Sequence, residues 1–148
     1  MRLSRGLYCH MAAALVGIGM SICAVMLFDR REPLLLIEGT IEPNQVRMGD
    51  TVQVAWVVEE RRNCDGELRR IIIDSAKKVH EFAIEKTVYH ETLTRDRRVF
   101  VKPMVIPSGL TPGPAIYTTQ IWRWCNPAQQ HLWPIRSEGL RVPFVVLE

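Results

Sequence analysis

No aspartate, glutamate, lysine or arginine occurs between residues 6 and 28. As a helix, those 23 residues rise roughly 34 Å at about 1.5 Å each, against a hydrocarbon core of about 30 Å. A helix in a soluble core keeps one polar stripe. The densest part here, MAAALVGIGMSICAVMLF, has none. Nor is there a large excess of one charge: 19 basic against 16 acidic residues leave a net charge of +3. That balance excludes a strongly basic nucleic-acid binder on bulk charge. The sequence has no CxxC, so neither a thioredoxin-like site nor a zinc knuckle is indicated. It has no GxSxG, no Walker loop and no GxGxxG. Glu59 and Glu60 are adjacent carboxylates, but neighbours on a strand point to opposite faces. His10, His80, His90 and His131 have no spacing that forces them together around a metal. No catalytic residue, metal or cofactor is therefore expected.

What is present divides the chain. Residues 1–5 form a short basic tail with Arg2 and Arg5, and residues 6–28 form the apolar segment. This segment exceeds the usual signal-peptide core of about 7–15 residues. A cut after Ala24 would have the large Ile22 three residues back and leave Val25-Met-Leu-Phe28 at the new terminus. An uncleaved signal anchor is the reading these residues favour over a cleaved signal. Arg30 and Arg31 follow the segment, so the count of flanking positive charges is nearly tied. A whole domain after the second pair can be translocated. The expected placement is a cytoplasmic N-terminus, a single pass through the cytoplasmic (inner) membrane and an extracytoplasmic C-terminal domain.

Cysteine usage points the same way. Cys9 and Cys23 lie in the apolar segment, where they serve as small lipid-compatible residues. Cys64 and Cys125 are the other two. One pair in a translocated domain suggests a disulfide, with two unpaired buried thiols as the alternative.

Residues 29–33 read as a juxtamembrane linker and 34–148 as one domain. Gly49-Asp50 signals a turn, after which Val52, Val54, Trp56 and Val58 alternate with other residues at strand period. Continuing that parity places Cys64 on the same face. Further extended runs are expected at 34–38, 68–74, 79–89, 98–106, 116–125 and 140–147. Pro103 favours an edge or a bulge. About seven short strands with turn residues between them, and no good amphipathic helix, indicate an all-β domain: a two-sheet antiparallel β-sandwich after one N-terminal transmembrane helix.

The domain resembles the immunoglobulin-like superfold in MGDTVQVAWVV, in LTPGPAIYTTQIWRWC and in the closing VPFVVLE. That resemblance implies a bridge between the two sheets from Cys64 to Cys125. Leu110, Gly113 and Tyr117 resemble a tyrosine corner, although Tyr117 stands eight residues before Cys125 instead of two. Trp56 precedes the first cysteine of the pair, where an antibody-type domain places its core tryptophan after it.

The most distinctive stretch is WRWCNPAQQHLWP at 122–134. Trp122 and Trp124 share strand parity and Arg123 takes the opposite one. Either the tryptophans pack a sheet face, with Trp133 over the disulfide, or they form an exposed ledge with Gln129, Gln130 and His131. Such a ledge suits a protein interface or sugar stacking. The functional expectation is a membrane-anchored interaction or structural module with an envelope protein as partner. The alternative is a module that binds a cell-wall or surface glycan through the tryptophan-rich loop.

Overall fold

The computed structural model describes residues 5–87, 97–137 and 139–148. The expected strand over 88–89, His90, and most of the residue 1–5 tail lie outside them.

The apolar segment is one helix, α1 (Arg5–Phe28), and its window Tyr8–Phe28 is long and apolar enough to cross a membrane. Leu15, Val16, Met20 and Val25 are all exposed, so the helix lies outside the sheets' core.

The remainder is mostly strand. β1 (Leu34–Glu42), β3 (Thr51–Glu60) and β7 (Arg97–Val105) make a first sheet in the order β1-β3-β7. The second sheet has the order β2-β10-β8-β4-β5, from β2 (Gln45–Val46), β10 (Leu140–Val146), β8 (Gly113–Trp124), β4 (Asp65–Ile73) and β5 (Val79–Glu81). β6 (Glu85–Thr87) also pairs with β4, and β9 (Ile135–Arg136) with β8. The inward faces of the two sheets share one core, with Val52, Val54, Trp56 and Val58 meeting Ile72, Tyr117, Ile121 and Phe144. Trp56 Nε1 donates to Thr119 Oγ1 across that core at 3.1 Å.

Three expectations change. The sheets are not wholly antiparallel, because β2 runs parallel to β10 (Val145↔Gln45). The chain leaves the first sheet after Glu42 and lays Gln45–Val46 along the last strand. The run expected over 79–89 is broken into β5 and β6. Between them the Phe82 amide still bonds the Arg70 carbonyl, while Ile84 is exposed. Tyr117 makes no tyrosine corner. Its ring is fully buried, 6.4 Å from the Trp56 ring, and its hydroxyl, near Thr119 and Arg70, makes no well-formed hydrogen bond among the described residues. Burial pushes the phenol pKa up. Because an unmade buried hydrogen bond costs more than its absence, Tyr117→Phe is expected to leave the melting temperature unchanged or raise it. Thermal denaturation of the two proteins checks this.

One turn is anchored by a carboxylate. Asp74, buried after β4, accepts from the Lys78 amide (2.9 Å), the Thr111 amide (3.0 Å) and His80 Nε2 (3.2 Å). Burial alone would raise its pKa, but these donors outweigh it and hold the carboxyl well below the ordinary 3.8. A depressed folded-state pKa contributes stability above the unfolded-state value that is lost as pH falls toward the folded one. Asp74→Asn is therefore expected to melt at a lower temperature than the parent at pH 7. The gap should narrow as the pH drops below about 4, which a pH series of melting curves reads directly.

Candidate functional site

Of the residues expected from the tryptophan-rich stretch, Gln129 and Trp133 lie where α1 meets the sheets. After β8 the chain makes a five-residue helix, α2 (Pro127–His131). Asn126 caps it: its Oδ1 accepts from the Gln129 amide at 2.9 Å, and Pro127 takes the first turn, where no amide is needed. The Asn-Pro pair carried this signal in the sequence. No amphipathic period accompanied it, because one and a half turns are too short to have one.

α2 binds the end of α1. A helix C-terminus leaves carbonyls without intrahelical partners. Gln129, fully buried, donates from Nε2 to the Asp29 carbonyl at 2.6 Å and the Met26 carbonyl at 3.4 Å. Its Oε1 accepts from the Cys125 amide at 2.8 Å. Asn126 Nδ2 donates to the Met26 carbonyl at 3.0 Å. On the other side Arg62 grips the Asp29 carboxylate at 2.7 Å, which holds that carboxyl below its ordinary pKa. Arg30 donates to the carbonyls of Trp133 (2.6 Å) and Pro134 (3.2 Å), with its guanidinium 4.5 Å from the centre of the Trp133 ring. Side chains about a hundred residues away in sequence thus form a collar around the α1 terminus.

The disulfide clasps this region. Cys64 and Cys125 are bonded, with their Cα atoms 4.5 Å apart. They do not bridge the two sheets as the resemblance implied. Asp65 pairs with Trp124 in the β4–β8 ladder, so the cysteines extend one end of two neighbouring strands. The parity of β3 holds through buried Glu60; the chain then crosses to the second sheet over 61–63. Arg123, buried on the inner face, donates to the Cys64 carbonyl at 2.7 Å. Its side chain lies against Gly66, where an added Cβ would come within 2.6 Å of Arg123 Cδ and 2.3 Å of the Trp122 carbonyl. A larger residue there would displace either the arginine or the ladder.

The six residues expected to make one binding surface are divided. Trp122, Trp124, Gln130 and His131 line a shallow groove of about 480 Å³ on the outer face of the second sheet, with Asp65 and Glu67. Trp122 is partly covered there by two guanidinium groups, from Arg69 at 3.8 Å and Arg136 at 4.4 Å from the ring centre. Gln129 points inward to the collar, and Trp133 stands beside Arg30 instead of over the disulfide. Ser75 and Lys78, a Ser-x-x-Lys spacing that sequence reading missed, lie in the turn after β4. There the Ser75 hydroxyl is committed to the Pro112 carbonyl at 2.8 Å.

No protein-family model and no curated protein matches this chain. Solved structures of similar shape include Pseudomonas fluorescens alkylpurine DNA glycosylase AlkC bound to DNA containing an abasic site analog. It has 9% identity and a TM-score of 0.49, covering 80% of this chain and 31% of that one. Another is the sporulation control protein Spo0M of Bacillus subtilis, at 14% identity and a TM-score of 0.49, covering 79% of this chain and 50% of that one. Likeness at this level carries nothing about activity or partners.

Proposed function

We propose that this chain is a single-pass membrane-anchored, non-catalytic interaction module. Its immunoglobulin-like domain is displayed on the extracytoplasmic side of the cytoplasmic membrane to bind an envelope protein. Strand order supports the fold assignment: β1-β3-β7 and β10-β8-β4 occupy the places of the A-B-E and G-F-C strands of an immunoglobulin sandwich. The disulfide supports the compartment, since such bonds persist in oxidising surroundings. The observation that carries the interaction role is on β7. Val99, Val101 and Val105, which share one strand parity, are 65%, 60% and 58% exposed on a strand that ends the first sheet among the described residues. Solvated sheet faces are normally polar. An apolar stripe on a terminal strand suits a protein that adds a strand or packs a sheet face.

A photo-crosslinking residue at Val101, in membranes from the native host, tests this reading. One discrete protein adduct, lost when Val99→Lys and Val105→Lys are added, is the expected result. Labelling no different from that at Gln120 on the other sheet would overturn it. Display outside the cytoplasm predicts that Cys64 and Cys125 react with thiol reagents only after reduction.

The groove holding Trp122, Trp124, Gln130 and His131 favours a second reading, as a glycan site. It predicts that wall-polymer fragments shift the tryptophan fluorescence and that Trp124→Ala removes the shift.

A further inference from the structure

We propose that Leu132 and Trp133 form a foot that rests in the headgroup layer of the bilayer crossed by α1, so that the domain stands on the membrane instead of swinging from a tether. The proposal rests on the reading of α1 as membrane-spanning. Two independent observations carry it. The first is exposure: Leu132 is 72% and Trp133 58% exposed, adjacent in sequence, where α2 ends. A neighbouring leucine and tryptophan this bare are poorly suited to water, and tryptophan prefers the membrane–water boundary. The second is level. Gln129 and Asn126 bond the carbonyls of Met26 and Asp29, which fixes α2 beside the last turn of the apolar helix. Phe28, 80% exposed, ends that helix and marks where hydrocarbon gives way to headgroups. Leu132 is the C-cap of α2, so the foot is held at the depth of this boundary. Arg30, bonded to the Trp133 carbonyl and set beside its ring, brings a guanidinium to the level of lipid phosphates. The arrangement needs only a bilayer surface and is indifferent to which side of the membrane the domain occupies.

The test uses the full chain, disulfide intact, in vesicles of phosphatidylcholine and phosphatidylglycerol carrying nitroxide lipids with shallow or deep spin labels. One fluorophore is attached at a time: at native Cys23 in a Cys9→Ser chain, or at Leu132→Cys, Trp133→Cys or Gln53→Cys in a Cys9→Ser, Cys23→Ser chain. Gln53 lies seven strand positions from the membrane-side end of β3, about 23 Å away. The expected result is that shallow nitroxides quench the labels at 132 and 133 more than about twofold over the label at 53. Deep nitroxides should quench the label at Cys23. Quenching at 132 and 133 equal to that at 53, with Cys23 still quenched, would overturn the foot and leave the spanning helix standing. An unquenched Cys23 label would overturn the spanning helix and the foot with it. Labels at 132 and 133 that respond only to added wall glycan or envelope protein would assign the patch to a soluble partner and overturn the proposal.

Discussion

A chain carrying Cys64→Ser and Cys125→Ser is expected to lose about 4 kcal/mol of stability, the chain-entropy value for a closed loop of this length. The sequence separation is 61. For a domain of this size the loss corresponds to a drop in melting temperature on the order of 15 °C. Two features make the native bridge effective. It joins the ends of strands already paired through nine register positions, from Asp65↔Trp124 to Ile73↔Ile116, so forming it asks for no rearrangement of the ladder. It also sits beside the Cys64 carbonyl held by Arg123 and the Cys125 amide held by Gln129. Removing the bond frees the end of the ladder that carries the collar. Hydrogen exchange should therefore rise first in the Cys125 and Gln129 amides and last at buried Ile72 and Tyr117. Thermal melts of parent and double variant, with exchange mapped by residue, measure both effects. A shift of only a few degrees would mean that the ladder and Arg123 already hold this end without the sulfur bond.

The disulfide also marks the boundary of what the sequence makes legible. That Cys64 and Cys125 pair is suggested by counting cysteines outside the apolar segment, and the structure bonds them. That they pair within one sheet is not suggested, because the crossing over 61–63 has no period to read. Residues 51–60 alternate, and nothing in Arg61-Arg62-Asn63 says which sheet comes next. The apolar helix is legible for the opposite reason: 23 residues without a charged side chain have the length and composition to cross a membrane. Strand β3 follows from alternation backed by burial on one face, and β4, β8 and β10 from extended runs between turn residues, whereas two-residue β2 is too short to alternate and owes its place to the neighbouring β10. The stretch from Trp122 to Pro134 stands out by composition, but composition does not say where its side chains go. Trp122 and Trp124 lie outside the core because Arg123 lies inside, against Gly66, where the absence of a side chain leaves it room. Gln129, expected on a ledge facing a partner, instead binds carbonyls of the chain itself. A lone glutamine beside another glutamine gives no sign of that, since the partner carbonyls are supplied by a helix end a hundred residues earlier.

Gln129→Ala is expected to uncouple the apolar helix from the domain while leaving the sheets folded. The side chain is fully buried and makes three hydrogen bonds, at 2.6, 2.8 and 3.4 Å, two of them to carbonyls at the end of α1. Truncation removes the partner of the Cys125 amide and of the Asp29 carbonyl in a part-buried site, where each unmade bond costs at most about 1–3 kcal/mol. A total of about 3 kcal/mol is enough to change the state of the collar. It is small beside the core that Trp56, Ile72, Tyr117 and Phe144 build, so the loss stays local. Gln129→Glu is the sharper variant. The carboxylate can still accept from the Cys125 amide, but it sets an acceptor and a negative charge against the Asp29 carbonyl and near the Asp29 carboxylate. Decoupling should therefore be at least as complete in Glu as in Ala at neutral pH. Limited proteolysis at the juncture around Arg30 and Arg31 in reconstituted membranes measures this directly. The parent should resist, both variants should release an intact disulfide-bonded domain, and the rate should rise by roughly a hundredfold if opening controls cleavage. Release at the parental rate would mean that Asn126, Arg30 and the Arg62–Asp29 pair hold the collar without Gln129.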